Sequence, residues 1–133
     1  MPEPRSRSDG PLRVLVVDAD DRVRESLIGL LAIGDRVVVI GSAGQAGQAL
    51  DLVVDDRPDI VIVDPRLPEL EGGLAFIREL RDRVPEVRIL AMSWSDALEA
   101  ISIDGGAHGF VRKTFRPTEL VAAILATSGR VGA

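Results

Sequence analysis

Asp64 follows the apolar run IVIV (60–63) and opens the segment DPRLPELEGG. That puts a carboxylate at the carboxyl end of a buried strand, where open α/β sheets carry their sites. Asp18 stands in the same relation to VLVV (14–17) and Ser93 to ILAM (89–92), while Lys113 follows the short run GFV. Taken singly, each has a plain structural explanation: a helix-capping carboxylate, a turn serine, a solvated cation. Four such groups at strand ends converge on one crevice and make a site.

The elements that must position these groups are legible as alternating patterns. Apolar, largely β-branched runs occur at 12–17, 37–40, 60–63, 87–92 and 109–111. They are continuous rather than alternating, as expected of strands buried on both faces of a parallel sheet. Between them, Val23, Leu27, Leu30 and Leu31, then Ala46, Leu50 and Val53, then Leu74, Ile77 and Leu80, and finally Leu120, Ile124 and Leu125 repeat at helical spacing. Asp21 can cap the first helix, Gly34 and Asp35 end it, Pro85 closes the third and Pro117 suits the first turn of the last. The segment 96–104 (DALEAISID) predicts only a stubby helix. The order implies a right-handed, doubly wound (βα)5 sandwich of the α/β class. Residues 1–11 read as a disordered lead-in, 12–127 as the domain, and 128–133 as a tail or linker stub.

Composition narrows the function classes. At 133 residues with 46% hydrophobic content the chain can bury one full core, and without cysteine it has no disulfide. No apolar stretch is long enough to span a bilayer and MPEPRSRSDG has no signal core, so a cytoplasmic protein without membrane partners is expected. The net charge of −5, with no basic stripe, argues against direct nucleic-acid binding by this domain. His108, the only histidine, reads as an exposed loop residue, and with no cysteine beside it a transition-metal site is not expected.

Four ordered motifs resemble the receiver domain of two-component response regulators over roughly residues 12–127. VLVVDADDRVRESL resembles its first strand and acidic turn, and PDIVIVDPRLPELEGG its phospho-acceptor strand and loop. RILAMS resembles the strand ending in a switch hydroxyl, and GGAHGFVRKTFRPTEL the segment with switch aromatic, lysine and last helix. The resemblance implies a flavodoxin-like five-stranded sheet of order 2-1-3-4-5. It implies a phospho-acceptor rather than an enzyme, with Asp64 taking a phosphoryl group from a histidine kinase, Lys113 pairing with it and Ser93 donating to a phosphoryl oxygen. Phe110 would be the aromatic that turns inward with Ser93. Asp18, Asp64 and the backbone carbonyl of Arg66 would hold Mg2+, with Asp20 able to reach it through water. The output domain, on the same chain or separate, would be controlled through the face formed by the fourth helix, last strand and last helix. The KTFRPTEL ending resembles receivers joined to a C-terminal helix-turn-helix domain that controls transcription, and homodimerisation stays open.

The chain also departs from that pattern. Ala19 replaces a second acidic residue that contacts the metal directly, so weakened Mg2+ binding is expected. Trp94 follows the switch hydroxyl where a small residue is usual and would crowd the pocket. The separation from Ser93 to Lys113 is about two residues short of the family's usual value, and Thr114 stands where proline is common, which predicts a trans Lys113–Thr114 bond. Ala19 and Trp94 favour a phosphorylation-independent interaction module as the alternative. DAD (18–20) also resembles the nucleophile motif of haloacid dehalogenase-like phosphatases, but the acidic pair those enzymes need after the lysine is missing. A flavodoxin-type electron carrier fits poorly, because the loop after the first strand is acidic.

Overall fold

Five parallel strands are ordered β2-β1-β3-β4-β5, with a helix after each, in a computed structural model that describes residues 10–114 and 116–129. The strands are β1 Leu12–Val17, β2 Val37–Ala43, β3 Ile60–Val63, β4 Arg88–Ser93 and β5 Gly109–Arg112. The helices are α1 Asp21–Leu31, α2 Ala46–Asp56, α3 Leu70–Arg83, α4 Glu99–Gly105 and α5 Pro117–Ser128. Most of the expected lead-in, 1–9, and of the tail, 130–133, lies outside the described residues.

The continuous apolar runs arise because both faces of the sheet are covered. Leu15, Val17, Val61, Val63, Ile89 and Ala91 point to one face and meet Phe76, Ile77 and Leu80 of α3. Val14, Val16, Ile60, Ile62, Leu90 and Met92 point to the other, against Leu27 of α1 and Ile124 of α5. Burial of side chains such as Ile62 and Ile124 contributes about 1.5–3 kcal/mol each.

Several boundaries differ from the sequence reading, each for a local reason. β2 runs on to Ala43 through Gly41 and Ser42, because it lies at the sheet edge and needs only one apolar partner strand. Its pairing with β1 is irregular between Val14 and Leu15, and Val38 is exposed. β4 is shifted by one residue, so Ser93 is the last residue of the strand rather than the first beyond it. Asp20, not Asp21, caps α1: its Oδ1 accepts from Arg22 N at 2.9 Å and Val23 N at 3.2 Å. Asp21 is the first helical residue and pairs with Arg24. The short fourth helix is as expected, one 3₁₀ turn over Asp96–Leu98 and two turns of α4. The Lys113–Thr114 bond is trans, the cis bond among the described residues being Leu67–Pro68.

Candidate functional site

The parallel register brings the ends of β1, β3, β4 and β5 to one edge. Val17 pairs with Val63 and Ala91 with both Val63 and Phe110, so Asp18, Asp64, Ser93 and Lys113 all emerge there. Asp18 N donates to Ala43 O, Asp64 N to Val17 O, and Lys113 N to Ser93 O at 2.9 Å, fixing each backbone to the neighbouring strand. All four residues are buried.

Lys113 joins the two carboxylates. Its Nζ lies 2.5 Å from Asp64 Oδ2 and 2.8 Å from Asp18 Oδ2, with side chains only 2–9% exposed. The first is a hydrogen bond. The second is an ion-pair contact whose angles fall outside a hydrogen bond, leaving Asp18 Oδ2 buried without a hydrogen-bond donor. Burial alone would lower the pKa of Lys113. The contacts with Asp18 and Asp64 outweigh that effect and hold it above the ordinary lysine value. Lys113 is also the only lysine in the chain, all other residues of its basic set being arginine. A compact, rotatable ammonium suits a site where one cation must serve two carboxylates.

The remaining oxygens are oriented by backbone amides. Asp64 Oδ1 accepts from Arg66 N at 2.8 Å, and Asp18 Oδ1 from Asp20 N at 2.9 Å. The loop carrying Asp64 and Arg66 folds back on α3 at Gly73, where a Cβ would lie 1.6 Å from Pro65 O, so no larger residue fits. Ser93 Oγ accepts from Ser95 N at 3.3 Å. Phe110 is half-buried, packed against the core on the α3 side of the sheet. Asp20 is exposed and its Oδ1 serves the helix cap.

Two groups escaped the sequence reading. Arg24 donates to Asp18 O at 2.7 Å and to Asp21 Oδ1 at 2.6 Å, buttressing the turn that carries Asp18. His108 is half-buried rather than an exposed loop residue: its Nδ1 accepts from Ile89 N at 2.9 Å. Burial, then the charges of Arg88 and Arg81, lower its pKa to about 4. Trp94, expected to crowd the pocket, places its ring centroid 5.3 Å from Lys113 Nζ.

The donor set suits a hard cation. Asp18, Asp64 and the Arg66 carbonyl supply oxygen only, and Asp18 Oδ2, although ion-paired with Lys113, is a buried acceptor with no hydrogen-bond donor. Among the described residues, no group of three or more His, Cys, Asp or Glu side chains is arranged to hold a metal ion. An apolar cavity of about 440 Å³ between α1 and α5, lined by Leu30, Ile33, Val121 and Leu125 among others, lies away from the carboxylates. No helix of the described residues is long and apolar enough to cross a membrane.

Comparison with known proteins agrees with this geometry. The model of the response regulator receiver domain matches residues 14–125. Response regulator MprA of Mycolicibacterium vanbaalenii is 37% identical over 118 residues, covering 87% of this chain and 50% of that protein. The DNA-binding transcriptional activator DevR/DosR of Mycobacterium tuberculosis is 34% identical over 115 residues, 85% of this chain and 52% of that protein. The chain thus spans about half the length of these curated relatives. Among solved structures, the receiver domain of NarL from Mycobacterium tuberculosis superimposes with a TM-score of 0.81 at 31% identity, covering 90% of this chain and 98% of that one. A LuxR-family response regulator from Aurantimonas sp. SI85-9A1 gives 0.79 at 33%, covering 89% and 85%.

Proposed function

This chain belongs to the family of response regulator receiver domains, and from that membership we propose that it accepts a phosphoryl group on Asp64 from a histidine kinase. The observation that carries the reading is the buried Asp18–Lys113–Asp64 arrangement at the carboxyl ends of adjacent strands. In the transfer, a carboxylate oxygen of Asp64 bonds to phosphorus. The bond from phosphorus to the donor nitrogen breaks, its electron pair staying on the imidazole. Lys113 already lies against the attacking carboxylate, so it meets the incoming charge without a large movement. Ser93 turns its hydroxyl from Ser95 N to a phosphoryl oxygen. Arg66 N keeps the other Asp64 oxygen in place.

Asp18, Asp64 and the Arg66 carbonyl would hold Mg2+, which supplies charge neutralisation for the transferred group. Ala19 leaves the set one carboxylate short, and Asp20 could contribute only through water. The exchange at Ser93 biases Phe110 and α4, so that the α4-β5-α5 face reports the phosphoryl state to an output partner, on a longer chain or separate. Transcription is the output favoured by the relatives' printed roles. The alternative, a module that signals without phosphorylation, draws on Ala19 and on Trp94 over Lys113. Labelled phosphoryl transferred from a histidine kinase should appear on wild type and vanish from Asp64→Ala. Wild-type labelling of Asp64→Ala would rule out this acceptor.

A further inference from the structure

β4 ends at Ser93, so Trp94 is the first residue to leave the sheet beside the ion triad. Trp94 is 57% exposed, whereas the Lys113 side chain beside its ring is 2% exposed. The ring is therefore a solvent-side layer over the cation that binds Asp64. Its backbone is pinned on both sides: Ser95 N donates to Ser93 Oγ, and Ala97 N to Ser95 Oγ at 3.1 Å. Arg112 reaches Asp96 at 3.6 Å, tying the following turn to β5. Trp94 is thus held over the site rather than swinging from a free loop.

The geometry points to Trp94 as a shutter, anchored by its cation–π contact with Lys113, that slows water reaching the phosphoryl group on Asp64 and so sets how long that group survives. The inference rests on Asp64 being the acceptor. In hydrolysis a water oxygen bonds to phosphorus, and the bond from phosphorus to the Asp64 oxygen breaks with its electron pair returned to the carboxylate. Both protons of the water leave with the inorganic phosphate. Water enters along the line by which the donor leaves, so a cover on that line slows loading from a small donor and hydrolysis alike. Lys113 keeps its ammonium next to the phosphoryl, and the ring stays with the ammonium. Trp94 acts through Lys113 and is a positioning residue.

The test loads wild type, Trp94→Phe, Trp94→Leu and Trp94→Ala with acetyl phosphate and Mg2+, removes the donor, and follows loss of the phosphoryl mass. A cation–π contact at an exposed ring corresponds to about a 2- to 5-fold effect on rate. Trp94→Ala and Trp94→Leu should lose phosphoryl faster by at least that factor, and Trp94→Phe, which keeps a π face, should stay near wild type. Equal lifetimes for Trp94→Ala and wild type overturn the shutter, and a Trp94→Leu lifetime equal to wild type overturns its anchoring on Lys113. If Trp94→Ala does not fold, the Phe and Leu variants still decide between these results. No phosphoryl on any of the four proteins removes the acceptor reading and the shutter with it, whereas a loaded Asp64 with unchanged lifetimes removes the shutter alone. A second readout needs no phosphoryl: Trp94 is the only tryptophan and there is no tyrosine, so emission reports this ring. Acrylamide quenching should rise in Lys113→Met, and unchanged quenching contradicts the anchor.

Discussion

Replacing Lys113 with methionine removes the cation from a nearly dry triad while keeping most of its bulk. Nζ serves Asp64 at 2.5 Å and Asp18 at 2.8 Å, and none of the three side chains is more than 9% exposed. Removing one partner of a buried ion pair costs about 3–5 kcal/mol, because the other charge is left uncompensated. Here two like charges remain, so Lys113→Met should lose about that much stability at neutral pH, a large share of the roughly 5–15 kcal/mol typical of a domain. Urea unfolding across pH is the assay. In wild type the lysine's raised pKa works at the other extreme. Its stabilisation is complete below the ordinary value of 10.5 and is lost only as pH rises above it, through the raised value. Asp64→Asn, which keeps the Lys113–Asp18 contact, should cost less than Lys113→Met. A Lys113→Met deficit under about 1 kcal/mol at pH 7 would refute this reading of the triad.

Three further outcomes are expected. His108 is favoured neutral in the fold, with a pKa of about 4 against 6.5, so the unfolded chain binds more protons between those values and stability falls as pH drops from 6.5 to 4. Chemical unfolding of His108→Gln should lack that part of the slope, and an unchanged slope contradicts the assignment. Ala19→Asp should tighten Mg2+ binding and speed phosphorylation. Isothermal titration showing wild type already binding as tightly would mean that Asp20 or another group replaces the lost ligand. Hydrogen exchange over 96–111 should be faster than in β3, since α4 exposes Ile101 and Ile103 while burying a Ser102 hydroxyl without a partner. Ser102→Ala should stabilise the fold by about 1 kcal/mol, and a net loss of stability would show that the hydroxyl is satisfied.

The strands were legible in the sequence where burial was complete. β3 was placed to the residue because Ile60–Val63 are buried on both faces and bounded by Asp and Pro. β2 was cut short because an edge strand tolerates Gly41 and Ser42, which carry no apolar signal. Asp20 and Asp21 are chemically equivalent as caps of the first helix, and only the extended backbone at Asp20 selects it. The half-buried place of His108 is invisible in the sequence, because a lone histidine gives no sign of the Ile89 amide 19 residues away. Convergence of Asp18, Asp64 and Lys113 followed from their places at strand ends. The sharing of one ammonium between two carboxylates, and the ring above it, are tertiary facts. The sequence does carry one signal for that ammonium: a chain that draws its other basic residues from arginine keeps its only lysine at Lys113.

The central claim is that Asp64 is where this chain takes its phosphoryl group. Intact mass after prolonged incubation with acetyl phosphate and Mg2+, comparing wild type with Asp64→Asn, tests it most directly. The account predicts one added phosphoryl on wild type, none on Asp64→Asn and none on wild type when Mg2+ is chelated. Equal phosphorylation of the two proteins, or none on wild type with Mg2+ present, would contradict it.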